Sequence, residues 1–320
     1  MGLTPDIGFV YPKTGLSADL RFDETPSFIS QGSLHLTGAS NGTSEGLQVD
    51  GLTWTSLGNF SITFWVKPIS IASGKVYFDA THSSGSDRIK ISDASGALQI
   101  FTVNGGSDGT ASFSGASDRI EDGTWHHVAI TSTYSAPNST FKLYLDGQLF
   151  GTSSAIVAPD MSTAGDAFLG AFNSGANDHP TANFCHFGIW QSELSEAQVR
   201  SLMTASTYAQ AVTKGGSTPR AYYVLESNGD DSVGTQNGTV TSPAAITGDR
   251  CRSPNGFDLT GNRLDARSFS GRAIDLDGTG DFISMGDPSD LDGFFNTGGT
   301  ISLWINMTST ANFDRVFDFS

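Results

Sequence analysis

Two adjacent histidines, His126 and His127, are the residue types in this chain that most directly suggest a metal site. They lie in an apolar stretch that alternates with the period of a β-strand, so their side chains should point to opposite faces of a sheet. Two side chains that point apart cannot bind one ion together. The pattern therefore favours a structural role for this pair.

A second metal pattern is the segment Asp-Leu-Asp-Gly-Thr-Gly-Asp, which places Asp275, Asp277 and Asp281 close together. It is similar to the start of a calcium loop, and Gly280 occupies the sixth position, where such a loop turns. The twelfth position, however, is Gly286 instead of a bidentate glutamate. Turn-forming carboxylates are the favoured interpretation. Calcium stays open as a cofactor, with no residue assigned to a metal.

The sequence offers little support for a catalytic site. Glycan hydrolysis needs two suitably placed carboxylates, but Glu193 and Glu196 lie where a helix is predicted to start and where they favour its dipole. Gly105-Gly106 form a turn in a β context, and no nucleophile elbow for acyl transfer is identified. Cys185 and His186 are neighbours on a predicted strand and should face apart. We expect no enzyme and assign no catalytic residue.

The composition limits the classes of partner. A formal net charge of −16 disfavours nucleic acid, because phosphates would be repelled. Charged residues make up only 16% of the 320 residues and glycine contributes 38, which is typical of a loop-rich β protein. Cys185 and Cys251 are too few for a disulfide framework and are interpreted as two free thiols. No apolar run is long enough to span a membrane.

The elements that must position these residues are short strands. Apolar residues alternate with polar ones in runs that end in turn residues, which predicts an antiparallel all-β sandwich. The clearest runs are Leu34–Leu36, Ser61–Val66, Arg88–Ser92, Ala97–Val103, His127–Thr131, Phe141–Leu145 and Ala167–Ala171. Asp146-Gly147 predicts a tight hairpin turn. One helix is predicted over Ser195–Met203, with Ser195 as its cap.

Part of the chain is repeated. Ile62-Thr-Phe-Trp-Val66 matches Ile301-Ser-Leu-Trp-Ile305, and the same offset pairs Phe78-Asp79 with Phe317-Asp318. A repeat of this length predicts two copies of one domain type, the second cut short. The predicted divisions are an apolar docking arm (1–15), a first domain (16–205), a flexible linker (206–220) and the N-terminal half of a second domain (221–320).

Four segments together resemble the laminin-G-like, concanavalin A-like jelly-roll superfamily. They are Phe60–Pro68, Gly123–Ala129, Leu143–Gly147 and Phe184–Ser195. The resemblance implies tandem antiparallel jelly-roll sandwiches, the second incomplete.

The resemblance also bears on the candidate sites. It implies that His127 has a structural role and is not a metal ligand. Family members often have two acidic residues where this chain has Cys185 and His186, a departure that weighs against inherited calcium binding. The Glu-x-Asp-x-x-Glu motif of the laminarinase branch is absent.

Binding is the remaining class of function. The loops 81–87, 104–118 and 172–183 are rich in Gly, Ser, Asp and Asn, and Phe113 and Phe172 lie in or beside them. These loops are candidate glycan-binding segments, although no individual residue is assigned to glycan binding.

The sequence as a whole predicts a non-enzymatic structural or adhesive virion protein, of the phage fibre or capsid-decoration type, that displays these modules for attachment to host glycans. The chain begins with Met and without an export signal, which favours the virion surface. The arm would contact virion or surface proteins, and we expect a homo-oligomer. Two alternatives stay open: a secreted or cell-surface bacterial carbohydrate-binding adhesin, and an accessory module of a glycoside hydrolase.

Overall fold

The computed structural model describes residues 28–38, 45–54, 57–70, 73–82, 85–163, 165–172 and 178–252. In chain order the strands are β1 (Phe28–Ser30), β2 (Ser33–Thr37), β3 (Gly46–Leu52), β4 (Phe60–Ser70), β5 (Val76–Thr81), β6 (Arg88–Ala94), β7 (Ala97–Asn104), β8 (Ser107–Phe113), β9 (His126–Ser135), β10 (Asn138–Leu145), β11 (Gln148–Thr152), β12 (Ile156–Val157), β13 (Gly165–Leu169), β14 (Thr181–Trp190), β15 (Ala221–Tyr223), β16 (Thr239–Thr241), β17 (Ala245–Thr247) and β18 (Cys251–Arg252). The helices are α1 (Ala116–Ile120), α2 (Glu196–Leu202) and α3 (Tyr208–Gly215).

Two antiparallel sheets form a sandwich. The nine-stranded sheet has the order β11-β10-β9-β4-β14-β2-β17, with β12 beside β10 and β15 beside β14. The seven-stranded sheet has the order β16-β3-β13-β5-β6-β7-β8. The remaining strands, β1 and β18, pair with each other in a small ribbon. The all-β sandwich predicted from alternation is confirmed.

The core between the two sheets is built from the apolar half of each alternating strand. Phe64 of β4 is fully buried, and its ring lies 6.3 Å from that of Tyr77 and 5.9 Å from that of Phe184. These three rings come from different strands and both sheets, so they join the sheets face to face. Burial of such aromatic area dominates the stability of a core.

The predicted hairpin and helix are both present. Leu145 lies opposite Gln148, and Asp146 and Gly147 between them have φ angles of 51° and 78°, as a two-residue hairpin turn requires. Helix α2 starts after Ser195, whose hydroxyl accepts from the backbone of Gln198 while the Gln198 side chain accepts from the backbone of Ser195. This reciprocal cap is a strong local start signal.

Residues 206–220, predicted as a flexible linker, carry helix α3. The Thr207 side chain caps it by accepting from the backbone of Gln210, and Ala211 is buried in the layer that α2 also covers. The left-handed conformation of Gly216, with φ of 71°, ends the helix. The cap, the burial of Ala211, the ring contact of Tyr208 with Tyr222 and the hydrogen bond from Gln198 Nε2 to the Gly215 carbonyl hold this segment against the sheet.

Residues after α3 contribute strands to this same sandwich. β15 pairs with β14, β16 with β3, and β17 with β2. The residues predicted to begin a second copy therefore belong to the two sheets as far as β17 and to the ribbon at β18. The division into two copies stays a prediction. The arm (1–15) and residues 253–320, with the repeat at 301–305, lie outside the described residues.

In the described part of the chain, no helix combines the length and the apolar sequence that a bilayer crossing requires.

Replacing Phe64 with alanine should destabilise the sandwich, because it leaves a cavity between the two sheets. We expect the free energy of unfolding to fall by about 3–5 kcal/mol, measured by urea unfolding. Ile69→Ala is the matched control, since Ile69 is 53% exposed, and it should change the value little. Equal losses in the two variants would contradict this account of the core.

Candidate functional site

The register of the seven-stranded sheet brings a carboxylate, an ammonium group and an aromatic ring into one row. Asp79 of β5 lies opposite Lys90 of β6, and Lys90 lies opposite Phe101 of β7. The neighbours of these residues along each strand, among them Ile89 and Ile100, belong to the core. Because successive side chains alternate between faces, the row lies on the outer face of the sheet.

A buried carboxylate fixes the position of a neighbouring guanidinium on this face. Nε and Nη2 of Arg88 donate to the two carboxylate oxygens of Asp79, each at 2.6 Å. The Asp79 side chain is fully buried, whereas that of Arg88 is 21% exposed. A bidentate pair of this kind sets the plane of the guanidinium as well as its distance. Arg88 is thus held rigid before any ligand arrives.

Phe172, just after β13, stacks on this rigid group. Its ring centroid lies 4.0 Å from the Arg88 guanidinium carbon, within cation–π range. The ammonium of Lys90 lies 5.5 Å from the Phe172 ring and 5.6 Å from the Phe101 ring. Lys90, Phe101 and Phe172 are all partly exposed. We call Asp79, Arg88, Lys90, Phe101 and Phe172 the cation–aromatic platform.

One side of the platform is bounded by a contact between Gly105 and Asp87. The backbone N–H of Gly105, in the β7–β8 turn, donates to Oδ1 of Asp87 at 3.2 Å. Asp87 is buried and directly precedes Arg88. Gly105 and Gly106 have φ angles of 55° and 89°, which a side chain would disfavour. The contact joins Asp87 to the β7–β8 turn beside the platform. The segment 104–118, predicted as a loop, consists mainly of β8 and the start of α1.

The two phenylalanines that the sequence singled out lie in different parts of the structure. Phe172 forms part of the platform, whereas Phe113 is only 5% exposed and belongs to the core. Nothing in the sequence singled out Lys90 or Phe101. Their alternation within β6 and β7 showed that they face away from the core, but only the register between strands shows that they meet.

The outer face of the other sheet is covered by the chain itself. Helices α2 and α3 bury Trp190, Tyr144 and Tyr222 of the nine-stranded sheet, in a cluster that also holds Val199 and Ala211. The β1–β18 ribbon contributes to a second buried cluster on Trp65, made of Ile29, Trp65, Trp125, Cys185, Met203 and Cys251. Among the described residues, partly exposed aromatic rings beside cations are therefore concentrated on the seven-stranded sheet.

His126 links a loop to a hairpin. Its two ring nitrogens lie 2.9 Å from Asp122 and 3.0 Å from Asp146, and the ring is fully buried. Burial raises the pKa of Asp122, but hydrogen bonds from His126 and Thr124 outweigh it and hold that pKa well below its usual range. Oδ1 of Asp146 also accepts from the backbone of His127. The arrangement fastens the Asp146-Gly147 turn to the start of β9.

His127 lies on the other side of β9 from His126. Its ring packs 5.3 Å from that of Trp65, and burial lowers its pKa to about 4. The two histidines have separate surroundings and share no ligand site. In the part of the chain that the structure describes, no group of three or more His, Cys, Asp or Glu side chains could hold a metal ion. Asp275, Asp277 and Asp281 lie outside it.

The expectation that Cys185 and His186 face apart is wrong, because β14 contains a bulge there. The register shifts by one residue between Cys185 and Gly188, and His186 adopts a φ of 48°. The extra residue breaks the alternation. Both side chains reach the outer side of the sheet, where the His186 ring lies 2.8 Å from Tyr222 Oη and from the Ile29 carbonyl. Burial raises the pKa of the Cys185 thiol, which makes it a poor nucleophile.

The buried neutral His127 should make stability depend on pH. Its pKa is about 6.5 unfolded and about 4 folded, so between these values the unfolded chain binds more protons. The free energy of unfolding should thus be retained above about pH 6.5 and fall as pH drops toward 4. We expect His127→Phe to remove roughly 2 kcal/mol of the loss between about pH 7 and 5, measured by urea unfolding.

Ile69→Ala serves as the control, because an exposed aliphatic side chain should leave the pH dependence of the wild type unchanged. An undiminished loss between the two pH values in His127→Phe would show that this histidine does not carry it.

Several solved structures are similar to this chain. It is similar to a native heptameric SAP-like pentraxin from Limulus polyphemus, with 15% identity, a TM-score of 0.46, and coverage of 69% of this chain and 96% of that chain. It is also similar to domains LG4-5 of the mouse laminin alpha1 chain, with 16% identity, a TM-score of 0.40, and coverage of 54% and 45%.

A third similar structure is domain 4 of AbnA, an extracellular arabinanase from Geobacillus stearothermophilus, in complex with arabinotriose. Its identity is 20% and its TM-score 0.40, with coverage of 57% of this chain and 84% of that one. No curated protein sequence matches significantly. The family model described as the concanavalin A-like lectin/glucanases superfamily matches residues 41–200, which is half of the chain. The chain therefore belongs to the concanavalin A-like lectin/glucanases superfamily.

Proposed function

We propose that this chain is a non-enzymatic carbohydrate-binding module and that the cation–aromatic platform is its ligand site. The observation that carries the proposal is the Phe172 ring, held 4.0 Å from a guanidinium that the buried Asp79 fixes in place. A rigid, partly exposed ring beside hydrogen-bond donors is the combination that a sugar requires, since a sugar ring has an apolar face and a polar edge.

The polar edge of a bound sugar would meet donors that are already in position. Nε and Nη2 of Arg88 are used by Asp79, which leaves Nη1. Lys90 supplies an ammonium between the two rings. Gln99, two residues before Phe101 on the same face of β7, is partly exposed and adds an amide. Because the guanidinium is prepositioned, less conformational entropy is lost on binding.

The same geometry argues for binding over hydrolysis. Both oxygens of the platform carboxylate, Asp79, are occupied by charge-assisted bonds from Arg88. Asp122 has a pKa held well below its usual range and contacts His126, which leaves it ionised at neutral pH. A glycan hydrolase needs an acid of raised pKa facing a second carboxylate.

The finer hypothesis is that the module is displayed on a virion, as part of a phage fibre or a capsid decoration, for attachment to host glycans. Its support is the surface chemistry: a net charge of −16 with few basic groups and many small polar residues suits an exposed, aggregation-resistant module. Immunogold labelling of purified particles would support this hypothesis. Labelling of the cell envelope with none on particles would instead support the adhesin alternative.

Removing either platform ring should weaken glycan binding without unfolding the chain. We expect Phe172→Ala and Phe101→Ala each to lower affinity about tenfold, measured on a glycan array and then by calorimetry with the strongest ligand. Tyr134→Ala is the matched control, since Tyr134 is a partly exposed aromatic on β9 of the other sheet. Array binding that neither variant weakens would remove the platform from the proposal, and the absence of any binding by the wild type would contradict the function.

A further inference from the structure

The only two cysteines of the chain, 66 residues apart in sequence, meet inside the described structure. Both side chains are fully buried in one cluster, where each thiol affects the pKa of the other. They lie in the cluster on Trp65, where the remaining members are hydrophobic. The two thiols are not bonded to each other in this structure, and nothing in the sequence indicated that they are neighbours.

The two cysteines belong to different layers. Cys185 lies on β14, opposite Trp65 of β4, at the start of the bulge. Cys251 lies on β18, opposite Ser30 of β1, in the ribbon that covers this part of the sheet. A covalent bond between them would therefore join the ribbon to the central strand of the nine-stranded sheet.

Non-covalent contacts already hold the ribbon against the nine-stranded sheet. The Ile29 carbonyl of β1 lies 2.8 Å from Nε2 of His186. Just before β18, Oδ2 of Asp249 accepts from Nδ2 of Asn183 at 2.7 Å and from Nζ of Lys67 at 2.5 Å. Contacts of the paired strand β1 and of Asp249, two residues before Cys251, thus hold the ribbon against the sheet near Cys185. Such pre-positioning is what a disulfide needs, because its geometry tolerates little displacement.

We propose that Cys185 and Cys251 form a disulfide that fastens the β1–β18 ribbon to the nine-stranded sheet. The oxidant is a low-molecular-weight disulfide. One cysteine thiolate attacks it and releases one small thiol, which leaves a mixed disulfide on the protein. The second cysteine thiolate then attacks the protein sulfur of that bond and releases the second small thiol. Two electrons and two protons pass from the cysteines to the two small thiols.

Burial determines when the bond can form. Neither sulfur is exposed in the folded chain, and burial raises the pKa of both thiols, so few thiolates are present and an oxidant cannot reach them. The exchange must occur while the ribbon is open, during folding or in local unfolding. Once formed, the bond would restrict the unfolded chain between Cys185 and Cys251, and this restriction stabilises the folded state.

The test is to refold the full chain from urea in a buffer of oxidised and reduced glutathione and to map its peptides without reduction. We expect a linked pair of peptides that contain Cys185 and Cys251, and a melting temperature about 5–10 °C above that of the reduced protein. Trypsin should also cut more slowly after Arg250 and Arg252 in the oxidised form, because the ribbon opens less often.

Cys251→Ser and Cys185→Ser are the matched variants, and each should fold but lose the redox-dependent shift in melting temperature. Refolded wild-type protein with two free thiols, with glutathione on both cysteines, or with bonds between chains would overturn the proposal. This test does not depend on glycan binding, so its outcome is separate from that of the proposed function.

Discussion

The burial of strand β14 on both of its faces is the constraint on which the rest of the molecule depends. Every residue of β14 after Thr181 is buried. Phe184, Phe187 and Ile189 enter the core between the sheets, whereas Trp190 faces the layer under α2 and α3. A strand covered on both faces is largely apolar on both, its polar Asn183 and His186 are hydrogen-bonded, and something must supply the second cover. Here that cover comes from the residues that follow the strand.

The covering segments explain why residues 206–252 are ordered against the sandwich. Gly188 illustrates how closely they pack: a Cβ atom there would lie 2.6 Å from the ring of Trp190 and 2.7 Å from that of Tyr222. Glycine at this position allows the rings of Tyr222 and Trp190 to contact each other over β14. The bulge at His186 also stabilises the covering segments, because it directs the imidazole to Tyr222 of β15 and to the Ile29 carbonyl of the ribbon.

The one-sided cover leaves the seven-stranded sheet to meet the solvent. Its outer face holds a buried carboxylate, two cations and two partly exposed rings within a few ångströms of each other. A lone Asp79 buried at this position would be destabilising, and its pairing with Arg88 compensates for that burial. The same ion pair orients the Arg88 guanidinium, on which the Phe172 ring stacks. The outer face of this sheet and the proposed recognition thus depend on one ion pair.

The sequence predicted what is local. Strand alternation, the Asp146-Gly147 turn and the Ser195 cap each depend on neighbours within a few residues, and each prediction is confirmed. The bulge at His186 and the contact between Cys185 and Cys251 depend on how distant segments pack, which alternation does not encode. Lys90 and Phe101 were readable as outward-facing, but their meeting with Phe172 required the register of four strands.

The most direct test of the platform as a ligand site is an amide NMR titration with the strongest glycan found on an array. If the platform binds, chemical-shift changes should concentrate at Arg88, Lys90, Phe101 and Phe172. Changes concentrated on α2, α3 or the β1–β18 ribbon, with the seven-stranded sheet unaffected, would contradict the assignment of the ligand site to this face.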